Sequence, residues 1–315
     1  MLTADLVKTR ALELGFDLCG IAPVDAFVEL NALPGWLARG FGGRMTYLNR
    51  TARKRADVRR WLPSARSVVS VACLYHTDRP YAVERVDPGR ADLARYAWGD
   101  DYHDVMGPRL QALMDWMGAS SEPAFEARWC VDDGPVQERV YAMHAGLGWI
   151  GKHTCLINHD FGSWFLLGEI ATNLALEPDQ PAFDRCGSCT LCLEACPTGA
   201  IVEPYVLDAT RCVSYLTIEV RGAIPPQQHR GVGLRVFGCD ICQEVCPYNA
   251  TAPVSARPEW QPRPALDGVG LDELAALDDA QLEAVIAGTA LRRAGVTGLR
   301  RNLAIARRNA GRGAE

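Results

Sequence analysis

Cys186-Gly187-Ser188-Cys189-Thr190-Leu191-Cys192-Leu193-Glu194-Ala195-Cys196-Pro197 sets three cysteines at x₂ spacing and a fourth at x₃, just before a proline. A shorter echo follows at Cys239-Asp240-Ile241-Cys242-Gln243-Glu244-Val245-Cys246-Pro247. Closely spaced cysteines on a loop wrap three corners of an iron–sulfur cubane, and the last cysteine of each run crosses to a neighbouring cluster. Two [4Fe–4S] clusters need eight thiolates. The runs supply seven and Cys212, between them, is the eighth. The expected ligand sets are Cys186, Cys189, Cys192 and Cys246 for one cluster, and Cys196, Cys212, Cys239 and Cys242 for the other. Structural zinc also uses Cys-x₂-Cys pairs, but it needs neither the third x₂ cysteine nor the Cys-Pro ending. The spacing implies electron transfer.

Working outward, 315 residues exceed what two clusters need and allow a second domain with its own core. A hydrophobic content of 48% and a charged content of 23% place the chain among ordinary globular proteins. A formal net charge of −5 gives no global attraction for nucleic acid, so any such contact has to be local. Met1–Arg10 has no apolar signal core and no run reaches the length of a membrane span, which implies a cytoplasmic chain and no membrane partner. The remaining cysteines, Cys19, Cys73, Cys130 and Cys155, are expected to be small buried hydrophobes.

Thr3 is placed to cap an amphipathic helix carrying Leu6, Leu12 and Leu14 and ended by Gly15. Strands are expected at 16–22 and 67–75, with a basic loop at 50–60 between them. Further on, helices are expected at 100–117 and 136–145, with a strand at 124–131. Strands at 153–158 and 163–172 read as joined by the turn at 158–162. This mixture predicts an α/β or α+β domain over 1–176, with its own core. A proline-bearing stretch at 177–182 leads into a small cluster domain, 177–250, held by its metal centres. The last segment, 251–315, begins irregular and proline-rich, then turns helical at 271–286 and 299–310.

Residues 146–153, Gly-Leu-Gly-Trp-Ile-Gly-Lys-His, match G-x-G-x-x-G and G-x₄-G-K superficially. They follow a helix rather than a strand, and His153 stands where a phosphate loop needs Ser or Thr. A loop whose bare backbone lies close to a large cofactor is the preferred reading. Asp101-Tyr102-His103 nearly matches the Asp-x-His-x-x-Gly segment that supplies histidine to cobalamin in some enzymes, but Gly107 comes one residue late. His103 is therefore read as a helix-surface or pocket-wall residue.

In combination, these segments resemble epoxyqueuosine reductases over nearly the whole chain. The resemblance is carried by 131–139 (Val-Asp-Asp-Gly-Pro-Val-Gln-Glu-Arg), 145–152, Gly162-Ser163, 167–170, Asp101-Tyr102-His103, both cysteine runs, 212–219 and 301–304. It implies a nitroreductase-like α/β core that binds cobalamin, followed by a ferredoxin-like domain and a short helical C-terminal segment. The implied activity is removal of the epoxide oxygen of epoxyqueuosine at the tRNA wobble position to give queuosine. Electrons from an external one-electron donor would pass through the clusters to cobalt. The family often carries a C-terminal helical-repeat segment, and this chain ends soon after Arg301. The related reductive dehalogenases share the cofactor plan but are usually exported.

The resemblance also implies roles for single residues. Loss of the oxygen as water needs a proton donor, and Asp132 matches the family's donor position. Arg55 matches a basic position near the corrin. Lys152, Leu156 and Leu167 would meet it through their backbone, while Ser214 and Asp240 would face it from the cluster domain. For tRNA, the acid-free stretch 291–313 supplies Arg292, Arg293, Arg300, Arg301, Arg307, Arg308 and Arg312, and Arg221 is a further candidate. A monomer is the simplest expectation. Two rivals remain: a dehalogenase-like enzyme acting on a small molecule, and a two-cluster electron carrier without its own substrate.

Overall fold

The structure, a computed structural model, describes residues 2–84, 87–121 and 124–312. Helix α1 (Ala4–Glu13) begins at Thr3, whose hydroxyl accepts the Leu6 N–H at 3.4 Å, and ends before Gly15 at φ 95°. Its buried stripe is Ala4, Val7 and Ala11, whereas Leu6 and Leu12 are each 51% exposed. The expected leucine face is thus corrected: small residues at i, i+3 and i+7 bring the helix onto the sheet.

Next along the chain come β1 (Leu18–Pro23), α2 (Ala32–Ala38), α3 (Thr46–Arg55), β2 (Ser67–Leu74) and β3 (Asp92–Leu93). They are followed by α4 (Tyr102–Ala119), β4 (Ala127–Cys130), α5 (Glu138–His144), β5 (Trp149–Ile150), β6 (Leu156–Ile157) and β7 (Phe165–Thr172). One sheet of order β1-β2-β7-β4, antiparallel throughout, forms the centre. β2 is buried along its length because both of its faces are covered. On one face, Val69, Val71 and Ile170 pack with α1 and with Leu110 and Leu113 of α4. On the other, Val68, Ala72 and Ala171 pack with Val140 and Tyr141 of α5.

One local expectation fails here. The basic loop at 50–60 is instead α3 followed by a short 3₁₀ turn, Val58–Arg60. Long unbranched cations are good helix formers, and Arg53, Lys54 and Arg55 sit in the last turn, where the helix dipole favours them. The turn expected at 158–162 does join β6 to β7, with Asn158 and Gly162 bridged at its ends, and the two strands then take other partners. β6 pairs with β5, while β7 crosses the main sheet between β2 and β4.

The cluster region is made of short pieces: α6 (Leu191–Ala195), β8 (Ile201–Glu203), β9 (Val206–Leu207), α7 (Val213–Ile218), α8 (His229–Val232), β10 (Arg235–Phe237) and α9 (Ile241–Glu244). The chain ends in α10 (Leu271–Ala276), α11 (Asp279–Ile286) and α12 (Gly295–Arg312). A single helix over 271–286 is interrupted at Leu277-Asp278. The Asp278 carboxylate accepts the Gln281 N–H at 2.8 Å and Gln281 accepts the Asp278 N–H at 2.8 Å, so a capping box restarts the helix.

These three helices share a core with the parallel pair β3–β10, through Leu93, Val236, Phe237, Leu274, Leu282, Leu299 and Leu303. Asn302 of α12 is fully buried and donates to Thr217 O at 2.9 Å and Val236 O at 2.7 Å. Asn302→Ala removes both bonds, leaving Thr217 O only a long contact from Arg301 at 3.5 Å, and is expected to cost about 1–3 kcal/mol, read as a lower thermal midpoint. Among the described residues no helix is long and apolar enough to cross a membrane.

Candidate active site and cluster ligands

β4 delivers the chain into Val131-Asp132-Asp133. Asp132 is exposed and left-handed at φ 60°, a conformation that aspartate tolerates better than most residues. Its Oδ2 accepts the Tyr102 O–H at 2.9 Å, and its own N–H donates to Glu138 Oε1. Tyr102 opens α4 behind the cap Asp101, which accepts the His103 N–H and bonds His103 Nδ1 at 2.8 Å. His103 stacks on Tyr102 with ring centroids 4.1 Å apart, which makes it a wall of the site. Burial, and then the Asp132 charge, hold the Tyr102 phenol far above its ordinary pKa, so it stays a donor. Tyr96 is pushed up by the same two causes, and Tyr47 by burial, Glu219 and Asp132. Tyr102 thus bonds Asp132 directly, while Tyr96 and Tyr47 lie within reach of its charge and of that of Glu219.

Arg55 lies beside this loop. Its Nη1 donates to Val136 O at 2.7 Å, and Gln137 Nε2 returns a bond to Arg55 O at 3.0 Å. Arg55 thus braces the loop that carries Asp132. Lys152 is 8% exposed and donates from Nζ to Gly187 O at 2.6 Å and Cys189 O at 2.9 Å, so its ammonium fixes the first cysteine loop. Leu156 is core, with its backbone paired to Ile150. Leu167 packs on the same core, two residues beyond the last β4 pairing, Cys130↔Glu169. Ser214 opens α7 next to Cys212. Asp240 Oδ2 accepts the Arg95 N–H at 2.7 Å, and burial followed by Glu244 pushes its carboxyl up to about 7.

The glycines of 146–151 are occupied from inside. Gly146, at φ 77°, ends α5, and a Cβ on Gly148 would lie 2.2 Å from Ile157 O. A Cβ on Gly151 would lie 2.4 Å from Ile157 Cδ1. The turn is tight because β5 packs back on β6.

All twelve cysteines are free thiols. Burial pushes Cys192 up to about 11, and the nearby Cys246, Cys186 and Cys189 add to this. Burial pushes Cys239 up to about 12, with Cys212 among its neighbours. Cys242 is raised by burial and by Cys155, Cys239 and Cys212, and Cys212 by burial with Cys196 nearby. Cys196 resists ionisation through burial, but the backbone N–H groups of Ile201, Ala200 and Thr198 outweigh that and lower its pKa. Thiols held protonated by burial, as at Cys192, Cys239 and Cys242, fit clusters whose iron supplies the compensating positive charge. Cys155 is closer to this chemistry than its sequence suggested, beside Cys242.

Two family models match: "4Fe-4S double cluster binding domain" over residues 185–249 and "Epoxyqueuosine reductase QueG, DUF1730" over residues 55–133. The epoxyqueuosine reductase of Gloeobacter violaceus is 45% identical over 311 residues, 95% of this chain and 94% of that protein. The chain belongs to the epoxyqueuosine reductase family. The Escherichia coli epoxyqueuosine reductase is 39% identical over 308 residues, covering 98% of this chain and 81% of that one. A crystal structure of epoxyqueuosine reductase with a tRNA-Tyr epoxyqueuosine-modified stem loop superposes with a TM-score of 0.85 at 31% identity, covering 97% and 81% of the two chains. The Bacillus subtilis epoxyqueuosine reductase, solved with its catalytic loop swung out of the active site, gives 0.86 at 30%, covering 98% and 82%. The chain is accordingly an oxidoreductase with a mixed α/β fold and a double [4Fe–4S] domain. Neither rival, dehalogenase-like or carrier, is favoured by these relatives.

In this reductase the arginines expected to hold tRNA divide into two groups. Arg301 donates to Val220 O, Gly222 O and Leu216 O, and Arg300 to Ala275 O, Leu277 O and Asp279. Arg221 donates to Ala294 O and Arg293 O, and Arg293 pairs with Glu219 at 2.9 Å. Arg307 pairs with Asp272 at 2.7 Å. Arg301 ties α12 to the cluster region, Arg221 and Arg293 tie that region to the turn before α12, and Arg300 and Arg307 tie α12 to α10 and α11, so most of these arginines already have protein partners. Arg292 and Arg308 are exposed and unpaired among the described residues; the side chain of Arg312 lies outside them. Arg292 sits near Asp101, whose carboxyl pKa is lowered by the His103 hydrogen bond and, more weakly, by that guanidinium. Sequence reasoning missed Tyr47, Tyr96 and Glu138 around Asp132, and the exposed cations Arg50, Arg53 and Lys54 on α3.

Proposed function

We propose that this epoxyqueuosine reductase binds cobalamin between the Asp132 loop and the Ser214–Asp240 side of the cluster domain. One observation carries the reading: Asp132 stands exposed on a left-handed turn, bonded to a phenol that stays protonated, with Glu219 and Asp240 of the cluster region in electrostatic reach of the surrounding tyrosines. The donor set fits, because phenols, a serine and backbone amides match the amide fringe of a corrin. When bound, cobalamin supplies the reducing metal centre and the clusters supply its single electrons. Arg55, Lys152, Leu156, Leu167, Ser214 and Asp240 are the proposed wall. For Lys152 and Leu156 that leaves little beyond their placement, since their polar groups serve the cysteine loop and the β5–β6 pairing.

The reaction is epoxide + 2 e⁻ + 2 H⁺ → alkene + H₂O. Asp132 gives a proton to the departing oxygen, and Tyr102 holds the carboxyl facing the site and hydrogen-bonds the carboxylate left behind. Cys186, Cys189, Cys192 and Cys246 hold the first cluster and Cys196, Cys212, Cys239 and Cys242 the second. On this reading 1–176 is a nitroreductase-like catalytic domain, 177–250 ferredoxin-like and 251–315 its helical brace. An external one-electron donor, a cytoplasmic setting and a monomer complete it. After anaerobic reconstitution and desalting, retained corrin absorption beside cluster absorption is expected; cluster absorption alone would contradict cobalamin binding.

For the tRNA stem loop, the unpaired cations Arg50, Arg53 and Lys54 on α3 and Arg292 beside Asp101 are the proposed phosphate contacts. Arg53→Ala with Arg292→Ala should weaken tRNA binding and flatten its salt dependence by about 0.7–0.9 in log–log slope per lost contact. Arg301→Ala should instead lower the melting temperature and leave that slope unchanged.

A further inference from the structure

Glu169 is a glutamate in the middle of the central sheet. It is 0% exposed, on the β7 face whose neighbours Leu167 and Ala171 belong to the apolar core under α5. The pairing register sets Gly20, Ser70, Glu169 and Cys130 in one row across all four strands. α5 closes on that row: a Cβ on Gly20 would lie 2.0 Å from Ala145 O. From α5, Glu138 reaches down so that one oxygen of each carboxyl and the Cys130 thiol lie within 4.8 Å of one another. Neither Glu169 oxygen meets an N–H or hydroxyl donor.

Two carboxylates this close in a dry pocket do not both carry charge. Arg139, the cation next along α5, is exposed and donates to Thr154 O at 3.0 Å. Burial and the Glu138 charge raise Glu169 well above the ordinary carboxylate range, so the proton resides on Glu169. Glu169 then donates to Glu138, whose Oε1 accepts the Asp132 N–H. The chain of contacts runs from the rigid sheet, through α5, to the backbone of the one residue in this loop held at positive φ.

We propose that Glu138 is a positioning residue for Asp132, clamping its left-handed turn, with Glu169 beneath it donating the hydrogen bond that fixes the Glu138 carboxyl. The inference rests on Asp132 being the proton donor. A glutamate in the middle strands of this core needs such a partner, because an unpaired buried carboxyl is strongly destabilising there.

The test uses the fully loaded holoenzyme. Glu138→Ala is expected to lower kcat on the order of a hundredfold, as a misplaced reacting group does, with KM for the RNA and iron content unchanged. It should also speed amide hydrogen exchange selectively at 131–134. Glu138→Gln keeps an acceptor for the Asp132 N–H and should restore both readouts, and Glu169→Gln keeps a donor and should do the same. Wild-type kcat in Glu138→Ala, or a Glu138→Gln enzyme as damaged as Glu138→Ala, overturns the clamp. So does an equivalent of zinc that disappears with Glu138→Ala, which would make the three groups a metal site. Asp132→Asn run alongside separates the two claims. If it is inactive while Glu138→Ala is fully active, only the clamp fails. If Asp132→Asn turns over normally, the donor assignment fails and takes the clamp's catalytic role with it.

Discussion

Asp132→Asn is expected to keep both clusters and bound cobalamin and to lose turnover by at least about a hundredfold, the usual worth of a positioned general acid. Asparagine is the informative replacement because it keeps everything except the proton. It adopts a positive φ as readily as aspartate, so the turn at φ 60° survives. Its amide oxygen still accepts the Tyr102 O–H, and its backbone N–H still reaches Glu138. Iron, corrin and single-turnover rate measured on one preparation isolate the chemistry. A loaded Asn variant that converts substrate at the wild-type rate would remove Asp132 from the mechanism.

Cys212→Ala is expected to abolish turnover as well, by a different route. Cys212 is the one proposed ligand outside both cysteine runs. It stands at the N-cap position of α7 and shares its surroundings with Cys196, Cys239 and Cys242. Removing it leaves three thiolates for four iron corners, so iron should fall to about half and the electron path should be cut at the second cluster. Cys155→Ala is the matched control, a thiol beside Cys242 that belongs to neither proposed set. Full iron in Cys212→Ala with half in Cys155→Ala would reassign the eighth ligand.

Much of the fold was legible where one residue type decides a local geometry. Thr3 and Gly15 bound α1, the valine run of 67–74 gave β2, and the cysteine spacing gave the cluster region. α3 was not legible, because it buries no residue fully and so shows no apolar stripe against its arginines and lysine. The capping box at Asp278 and Gln281 is a sequence signal that had been passed over. The turn at 158–162 was legible from its residues, but the partners of the strands it joins were not, because pairing is decided across the sheet: β6 pairs with β5, and β7 with β2 and β4. Charge misled most at the C-terminus. Sequence counts the guanidinium of Arg301 as a free cation, but its donors are spent on carbonyls 79–85 residues away. Glu138 and Glu169 could not be singled out before the register was known, because only the register brings Glu169 opposite Cys130 and beneath α5.

The most direct measurement is turnover of an epoxyqueuosine-bearing tRNA stem loop by the reconstituted enzyme under a low-potential one-electron reductant. Nucleosides are then released from the RNA and weighed by mass spectrometry. The expected product is lighter than its precursor by one oxygen, and it forms only when cobalamin, both clusters and Asp132 are all present. Unchanged epoxide in RNA that is bound by the fully loaded wild-type protein would contradict the reading.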